Sequence, residues 1–211
     1  MSELRLHEEA KPSTPASQVI KVYAGNMPTP AIRAIDDAGR DIALEGVNNF
    51  STASQAPTAA TRTYIIGSNI KCNPGDLKIG TLFRWTIDLT KTGAGTATST
   101  FDICFGTLGT TGDTARVSFT KPAGTAVADN GRVVIEAIVR GPIGGSGVVV
   151  GHFNLTHNLA STGHAAIPCV DVVTISSGFD VTTPTNVGVC ITTGASDVIT
   201  IQMVIAEAWN L

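Results

Sequence analysis

Charge is scarce in this chain. Asp, Glu, Lys and Arg make up 15% of its 211 residues, against roughly 25% in ordinary soluble domains. Lys and Arg are nowhere clustered, and the net charge is −3. Displacing counterions from phosphates needs grouped cations, so nucleic acid is excluded as a partner. No apolar run approaches the ~18–20 residues of a spanning helix, so no membrane insertion is expected. Aromatics reach only 5%, which leaves few rings for stacking on sugars once a core is filled. The four cysteines, Cys72, Cys104, Cys169 and Cys190, are scattered without a CxxC spacing. They read as buried or edge thiols of strands rather than a metal or disulfide framework. The opening Met1-Ser2-Glu3-Leu4-Arg5-Leu6-His7-Glu8-Glu9 is acidic where a secretion signal is basic. Folding in a reducing cytoplasm is therefore expected.

Helical periodicity is missing too. From about Thr63 onward the chain is a succession of short segments punctuated by Gly and Thr. Residues 81–89 alternate sharply, with Phe83, Trp85, Ile87 and Leu89 on one face and Arg84, Thr86 and Asp88 on the other. Period two with aromatic and β-branched residues marks a half-buried strand. Residues 99–106 repeat it with Phe101, Ile103 and Phe105 inward. Further strands are expected near 64–70, 115–119, 132–140, 148–155, 169–175, 187–192 and 198–206. Asn130-Gly131 is expected as a tight hairpin turn. Eight or nine strands with turns every ~8–15 residues predict an all-β, two-sheet sandwich wired as a jelly roll, over residues 62–211. An immunoglobulin-like sandwich lacks its Cys–Trp–Cys layout here.

Ahead of this body the composition changes. Residues 1–17 are polar and interrupted by Pro12 and Pro15, an extended arm. Residues 18–46 read as a small β-motif with strands at 19–24, 31–35 and 40–44, too little apolar surface to be stable alone. The arm and motif together occupy residues 1–47, and 48–61 read as a linker.

Side chains able to carry chemistry are present but do not form a pattern. His152, His157 and His164, with Asp171 beyond, lack the register that brings imidazoles onto one metal. Ser146 lies in Gly145-Ser146-Gly147 without the strand–helix elbow of an esterase, and Ser196 reads as a turn residue. Asp88, Asp102, Asp129, Asp171 and Asp180 sit beside turns or on polar faces, where a hydrolytic pair would share one groove. No catalytic residue, metal ligand or cofactor site is assigned. Trp85 is expected inside.

Two segments are familiar. Pro15-Ala16-Ser17-Gln18-Val19-Ile20-Lys21-Val22-Tyr23-Ala24, continuing through Arg33-Ala34-Ile35-Asp36-Asp37-Ala38-Gly39-Arg40, resembles a short N-terminal β-motif of tailed-bacteriophage fibre and appendage proteins. It departs from that pattern at Gly25-Asn26-Met27-Pro28-Thr29-Pro30. The body is similar to phage virion proteins with a jelly-roll-like domain, on Gly80-Thr81-Leu82-Phe83-Arg84-Trp85, Leu89-Thr90-Lys91-Thr92, Phe101-Asp102-Ile103, Gly151-His152-Phe153, His157-Asn158-Leu159 and Ala206-Glu207-Ala208-Trp209-Asn210-Leu211. The resemblance implies a non-enzymatic structural protein: a capsid decoration, head fibre or tail-appendage subunit on the virion exterior, assembled in the bacterial host cytoplasm. It further implies a homotrimer attached to other virion proteins of the capsid or tail through its N-terminal segment. Candidate anchoring residues are then Val19, Val22, Tyr23, Ile32 and Ile35, and candidate subunit contacts Trp209 and Leu211. A second class is a receptor-binding module for host surface glycan, using a polar groove or aromatic near residues 141–147 or 161–164. A third, more remote, is a polysaccharide hydrolase using one or two of the aspartates.

Overall fold

The computed structural model describes residues 47–180, 182–195 and 198–211 with their side chains, and ahead of these the backbone of residues 8–9, 21–25, 31–35 and 41–43. The chain divides into two compact units, Met1–Gly46 with Leu211, and Val47–Asn210. The first unit carries strands β1 (Glu8–Glu9), β2 (Lys21–Gly25), β3 (Ala31–Ile35) and β4 (Asp41–Ala43) in one sheet of order β1-β2-β3-β4. β1 pairs parallel to β2, and the other pairs are antiparallel. Val19 lies outside the described residues. Val22 and Tyr23 fall on β2 opposite Ala34 and Arg33, and Ile32 and Ile35 on β3 opposite Ala24 and Lys21. The side chains of these four also lie outside the described residues.

The second unit is an all-β sandwich with no helix among its described residues. Its strands are β5 (Val47–Ser51), β6 (Arg62–Tyr64), β7 (Ile70–Cys72), β8 (Leu82–Lys91), β9 (Ser99–Gly106), β10 (Thr114–Lys121), β11 (Asp129–Val139), β12 (Val149–His157), β13 (Cys169–Ile175), β14 (Thr185–Thr192) and β15 (Ile199–Trp209). One sheet runs β13-β12-β11-β8-β15-β5, the other β10-β9-β14-β6, with β7 also on β14. Every pairing in both sheets is antiparallel. Leaving out the hairpin β12–β13, the order β5-β15-β8-β11 against β6/β7-β14-β9-β10 is that of a jelly roll, in which the chain changes sheet at nearly every connection. The hairpin extends the first sheet beyond β11.

Three expectations fail in this unit. The strand expected near 64–70 is instead two short ones, β6 and β7, with a turn between them. The Ser, Thr and Ala content of residues 48–61 suggests a linker, yet β5 pairs with β15 as an edge strand and Gln55 bridges Ile201. An edge strand needs main-chain partners on one side only and little apolar content, so composition hides it. Asn130-Gly131 is not a hairpin turn either. Both residues lie inside β11, opposite Thr90 and Leu89 of β8. The preceding strand β10 belongs to the other sheet, so the chain crosses the sandwich over residues 122–128 instead of turning back on itself.

Alternation builds the core. On β8 the inward residues Phe83, Trp85, Ile87 and Leu89 are buried, as are Val133, Ile135, Ala137 and Val139 on β11. Phe153 of β12 meets Phe101 of β9 at 5.3 Å and Phe119 of β10 at 5.6 Å between ring centroids, which ties the two sheets together. The ring of Phe83 packs edge-on to Phe105 at 6.2 Å. Glycine makes room where this packing is tightest. A Cβ on Gly151 would stand 2.8 Å from Phe119 Cζ and 2.9 Å from Val117 Cγ1. Trp85 is fully buried and its indole N–H donates to Ser68 O at 2.7 Å, the partner that a buried Trp requires. Ser68 follows a turn at Gly67, where φ is +87° and a Cβ would lie 2.6 Å from the backbone of Phe50 and Ser51.

The central strands of the second sheet depart from simple alternation. On β9 not only Phe101, Ile103 and Phe105 but also Asp102 and Cys104 are buried, and on β14 Val187 through Ile191 are buried. The outer face of this sheet is roofed by Arg62 and Tyr64 of β6. Arg62 reaches Asp102 and Cys104, and a Cβ on Gly188 would collide with the Tyr64 hydroxyl.

Candidate functional site

The six-stranded sheet buries one face and leaves the other open, and strand register sorts its outward side chains into rows. Ile175 stands opposite Val150, Val150 opposite Ile138, Ile138 opposite Leu82, and Leu82 opposite Trp209. Five apolar residues thus cross five neighbouring strands, about 19 Å in four steps of ~4.8 Å. Ile175 is 56% exposed, Ile138 48% and Trp209 38%, with Val150 and Leu82 half-buried. Exposed Ile79 lies beside Gly141 at the same end of the sheet. The strand end bearing Trp209 is fixed by Thr81, whose hydroxyl donates to Asn210 O at 2.8 Å. Leu211 follows and is half-buried. The next row begins with exposed Val173 and continues with the polar and charged His152, Glu136, Arg84 and Glu207. There Arg84 meets Glu136 at 3.6 Å and His152 bonds Asp171 at 2.5 Å.

Toward the other end of the same face lies a shallow polar groove of about 460 Å³, lined by Asp88, Thr90, Asn130, Arg132, Asn158 and Gln202, among others. Arg132 grips Asp88 with two bonds, 2.6 and 2.9 Å. Gln202 reaches the groove at a bulge, where the register of β15 against β8 slips between Ile201 and Met203. The slip turns two successive residues outward. Residues 141–147 and 161–164 do not line this groove.

Beneath its rim, Asp129 organises the connections. Its carboxylate accepts from the His157 ring at 2.7 Å, the His164 amide at 3.0 Å and the Asn130 amide at 2.8 Å. Burial works against its ionisation, but these hydrogen bonds prevail and hold the carboxyl below its ordinary range. Lys91 donates to Thr125 O at 2.6 Å and Val127 O at 2.9 Å, and Lys121 to His164 O at 2.8 Å. The His164 ring is fully buried, and neither nitrogen finds a hydrogen-bond partner among the described residues. Burial pushes its pKa down to about 4, with Lys121, His157 and Lys91 acting in the same direction and Asp129 against.

The histidines are therefore separated by role: His152 on the open face, His157 and His164 inside with ring centroids 6.2 Å apart. Among the described residues no cluster of His, Cys, Asp and Glu could hold a metal ion. The aspartates have structural partners. Asp88 has Arg132, Asp102 has Arg62 and Ser118, and Asp129 has its three donors. Asp171 has His152, and Asp180 accepts from Thr182. Ser146 sits exposed in the connection before β12, and Ser196 lies outside the described residues. Sequence reasoning singled out Trp209 and missed the other four members of the apolar row. It also missed the approach of Cys104 to Cys190, whose sulfurs stand 3.0 Å apart on neighbouring strands. A partial signal for the row did exist: Ile138-Val139 and Val149-Val150 are apolar on both faces, although Val133-Val134-Ile135 shows the same pattern outside the row.

No protein-family model matches the chain, and no curated protein matches it in sequence.

Proposed function

We propose that this chain is a structural attachment subunit that works by surface contact rather than by turning over a substrate. The observation that carries this reading is the apolar row Ile175–Val150–Ile138–Leu82–Trp209 on an open face that also exposes Val173 and Phe50. Contiguous apolar surface rimmed by charge is the usual mark of a contact surface. Few charges oppose such a contact between copies. From residue 62 to 211 there are 9 Lys and Arg against 10 Asp and Glu, counted along the sequence. With the resemblance to phage appendage proteins, the subunit is an external virion component, a capsid decoration, head fibre or tail appendage, assembled as a homotrimer. The sheet of the first unit serves as its anchor, adding strands to a neighbouring protein by main-chain pairing. Several weak anchors acting together then hold it firmly.

The test is the native mass of the full chain and of Ile138→Glu, a substitution at an outward position that leaves the core untouched. A multimer for the parent and a monomer with unchanged circular dichroism for the variant are expected. A monomeric parent at micromolar concentration refutes the reading.

The polar groove favours one other reading, a receptor module for host surface glycan. Its Asp, Asn, Gln, Thr and Arg side chains offer the mixture of donors and acceptors that sugar hydroxyls require. Binding on a glycan array that is lost in Asn158→Ala would support it. Hydrolysis has less to work with, since the groove carries the single carboxylate Asp88, already held by Arg132.

A further inference from the structure

Cys104 of β9 and Cys190 of β14 lie on adjacent antiparallel strands, offset by one pair. Cys104 faces Gly188 across the ladder, and Cys190 faces Asp102. The sulfurs come within 3.0 Å with Cys104 as donor, while Gly188 leaves room for the Tyr64 ring above them. Both residues are fully buried. Arg62 brings its guanidinium to the same place: Nη2 lies 2.9 Å from Cys104 Sγ, and Nε lies 3.1 Å from Asp102. Its Nη1 is held by Thr111 O and Asp113 O at 2.8 and 3.1 Å. Two thiols serving only as small core residues would have no need of a fixed cation beside them.

We propose that Cys104 and Cys190 are a redox-active pair that a hydroperoxide closes into a disulfide joining the two central strands of the second sheet. Three observations converge on it: the sulfur–sulfur approach, the guanidinium fixed at Cys104 Sγ and the thin cover of side chains over the pair. That cover is the Arg62 and Tyr64 side chains of β6, the half-buried three-residue edge strand paired to β14, and the Arg62 side chain is 28% exposed. A short strand of this kind opens locally at little cost and admits a molecule the size of a peroxide. The Cys190 thiol is held below its ordinary value, first by the hydrogen bond from Cys104, with burial opposing and Arg62 assisting. Cys104 is raised by that same bond and by burial. One sulfur of the pair attacks as the thiolate and the other resolves.

The thiolate of one cysteine attacks a peroxide oxygen, the O–O bond breaks, and the hydroxide released takes up a proton as water. The other sulfur then attacks the sulfur of the resulting sulfenic acid. The S–S bond forms, the S–O bond breaks, and the departing hydroxide leaves with the second thiol's proton as a second water. Two electrons pass from the two thiols to one peroxide. The sulfurs must close from 3.0 Å to about 2.05 Å, and because the cysteines stand diagonally across the ladder the bond draws the two strands together as it forms.

The test is to treat the folded full chain with hydrogen peroxide, quench, alkylate and weigh it. The expected product has lost two hydrogens and takes up two alkyl groups where the reduced chain, with four free cysteines, takes up four. Proteolysis then yields a peptide pair linking Cys104 to Cys190. The bond closes a separation of 86 residues, so the oxidised chain melts about 5–10 °C higher and returns on reduction. In Cys104→Ser and in Cys190→Ser the linked peptide is absent, and in at least one of them a sulfenic acid on the remaining cysteine is trapped by dimedone. Because the linked peptide is sought in the parent chain, a poorly folding variant leaves the test intact. Retention of four alkylatable thiols, oxidation confined to exposed Cys169, or a link involving Cys72 would overturn the proposal.

Discussion

Acid should weaken this protein through one imidazole, and the size of the effect can be worked out. His164 is fully buried with both ring nitrogens unpartnered among the described residues, and its pKa lies at about 4 against about 6.5 in the unfolded chain. A depressed folded-state pKa means that the unfolded chain binds the proton first as pH falls. The stability is present in full above pH ~6.5 and is lost as pH drops toward ~4. The loss from this group is about 2 kcal/mol at pH 5 and about 3 kcal/mol at pH 4. In urea, with a slope of about 2 kcal/mol per molar, the midpoint should move down by about 1 M between pH 7 and pH 5. Fluorescence of buried Trp85 reports the transition. The perturbation is His164→Leu. It keeps the backbone amide that donates to Asp129 and the carbonyl that accepts from Lys121, and removes only the titrating ring. The variant should match or exceed the parent at pH 8, where burying two unpartnered nitrogens carries a cost. Its midpoint should be about 1 M less sensitive to pH between 7 and 5. The same slope in parent and variant would refute the reasoning. Asp129, with its carboxyl held low, acts in a separate window. Its contribution is present above the ordinary carboxylate range of about 3.9 and goes as pH falls through its lower folded value.

Three further outcomes follow from the packing. Gly151→Val places methyl groups against Phe119 and Val117 where even a Cβ is too close, and should cost about 1–3 kcal/mol in a chemical melt. Trp85→Phe leaves Ser68 O without the indole donor, for a loss of about 2 kcal/mol measured the same way. Arg132→Ala removes a pair whose arginine is half-exposed, and should change the melt by less than about 1 kcal/mol. A larger loss would mean that the groove is a structural element rather than an open surface.

Much of the fold could be read directly from residue pattern. Phe83, Trp85, Ile87 and Leu89 can share a face only if the chain is extended, because their spacing is two. The bulge in the last strand is not legible in this way. Ile199, Ile201, Met203 and Ile205 keep an unbroken alternation in the sequence, and only the register against β8 shows the slip between Ile201 and Met203. Edges were harder. Val47–Ser51 carries little apolar content because it needs only one strand partner, β15. Asn130-Gly131 has turn chemistry but lies in a ladder, because β10 and β11 belong to different sheets. Local composition does not encode which sheet a strand joins.

The sequence by itself determined that this is a β-protein with a low-charge body and a front segment of different character. Side-chain period and charge are properties of neighbours along the chain, and they survive without any knowledge of contacts. Only the tertiary structure decided that Ile175, Val150, Ile138, Leu82 and Trp209 form one row, that Arg62 reaches Cys104 beside Cys190, and that His164 is sealed beneath Lys121 and Asp129. Each of these depends on register between strands far apart in the chain. A slip of a single residue turns every such side chain to the opposite face, so no segment read alone can specify them.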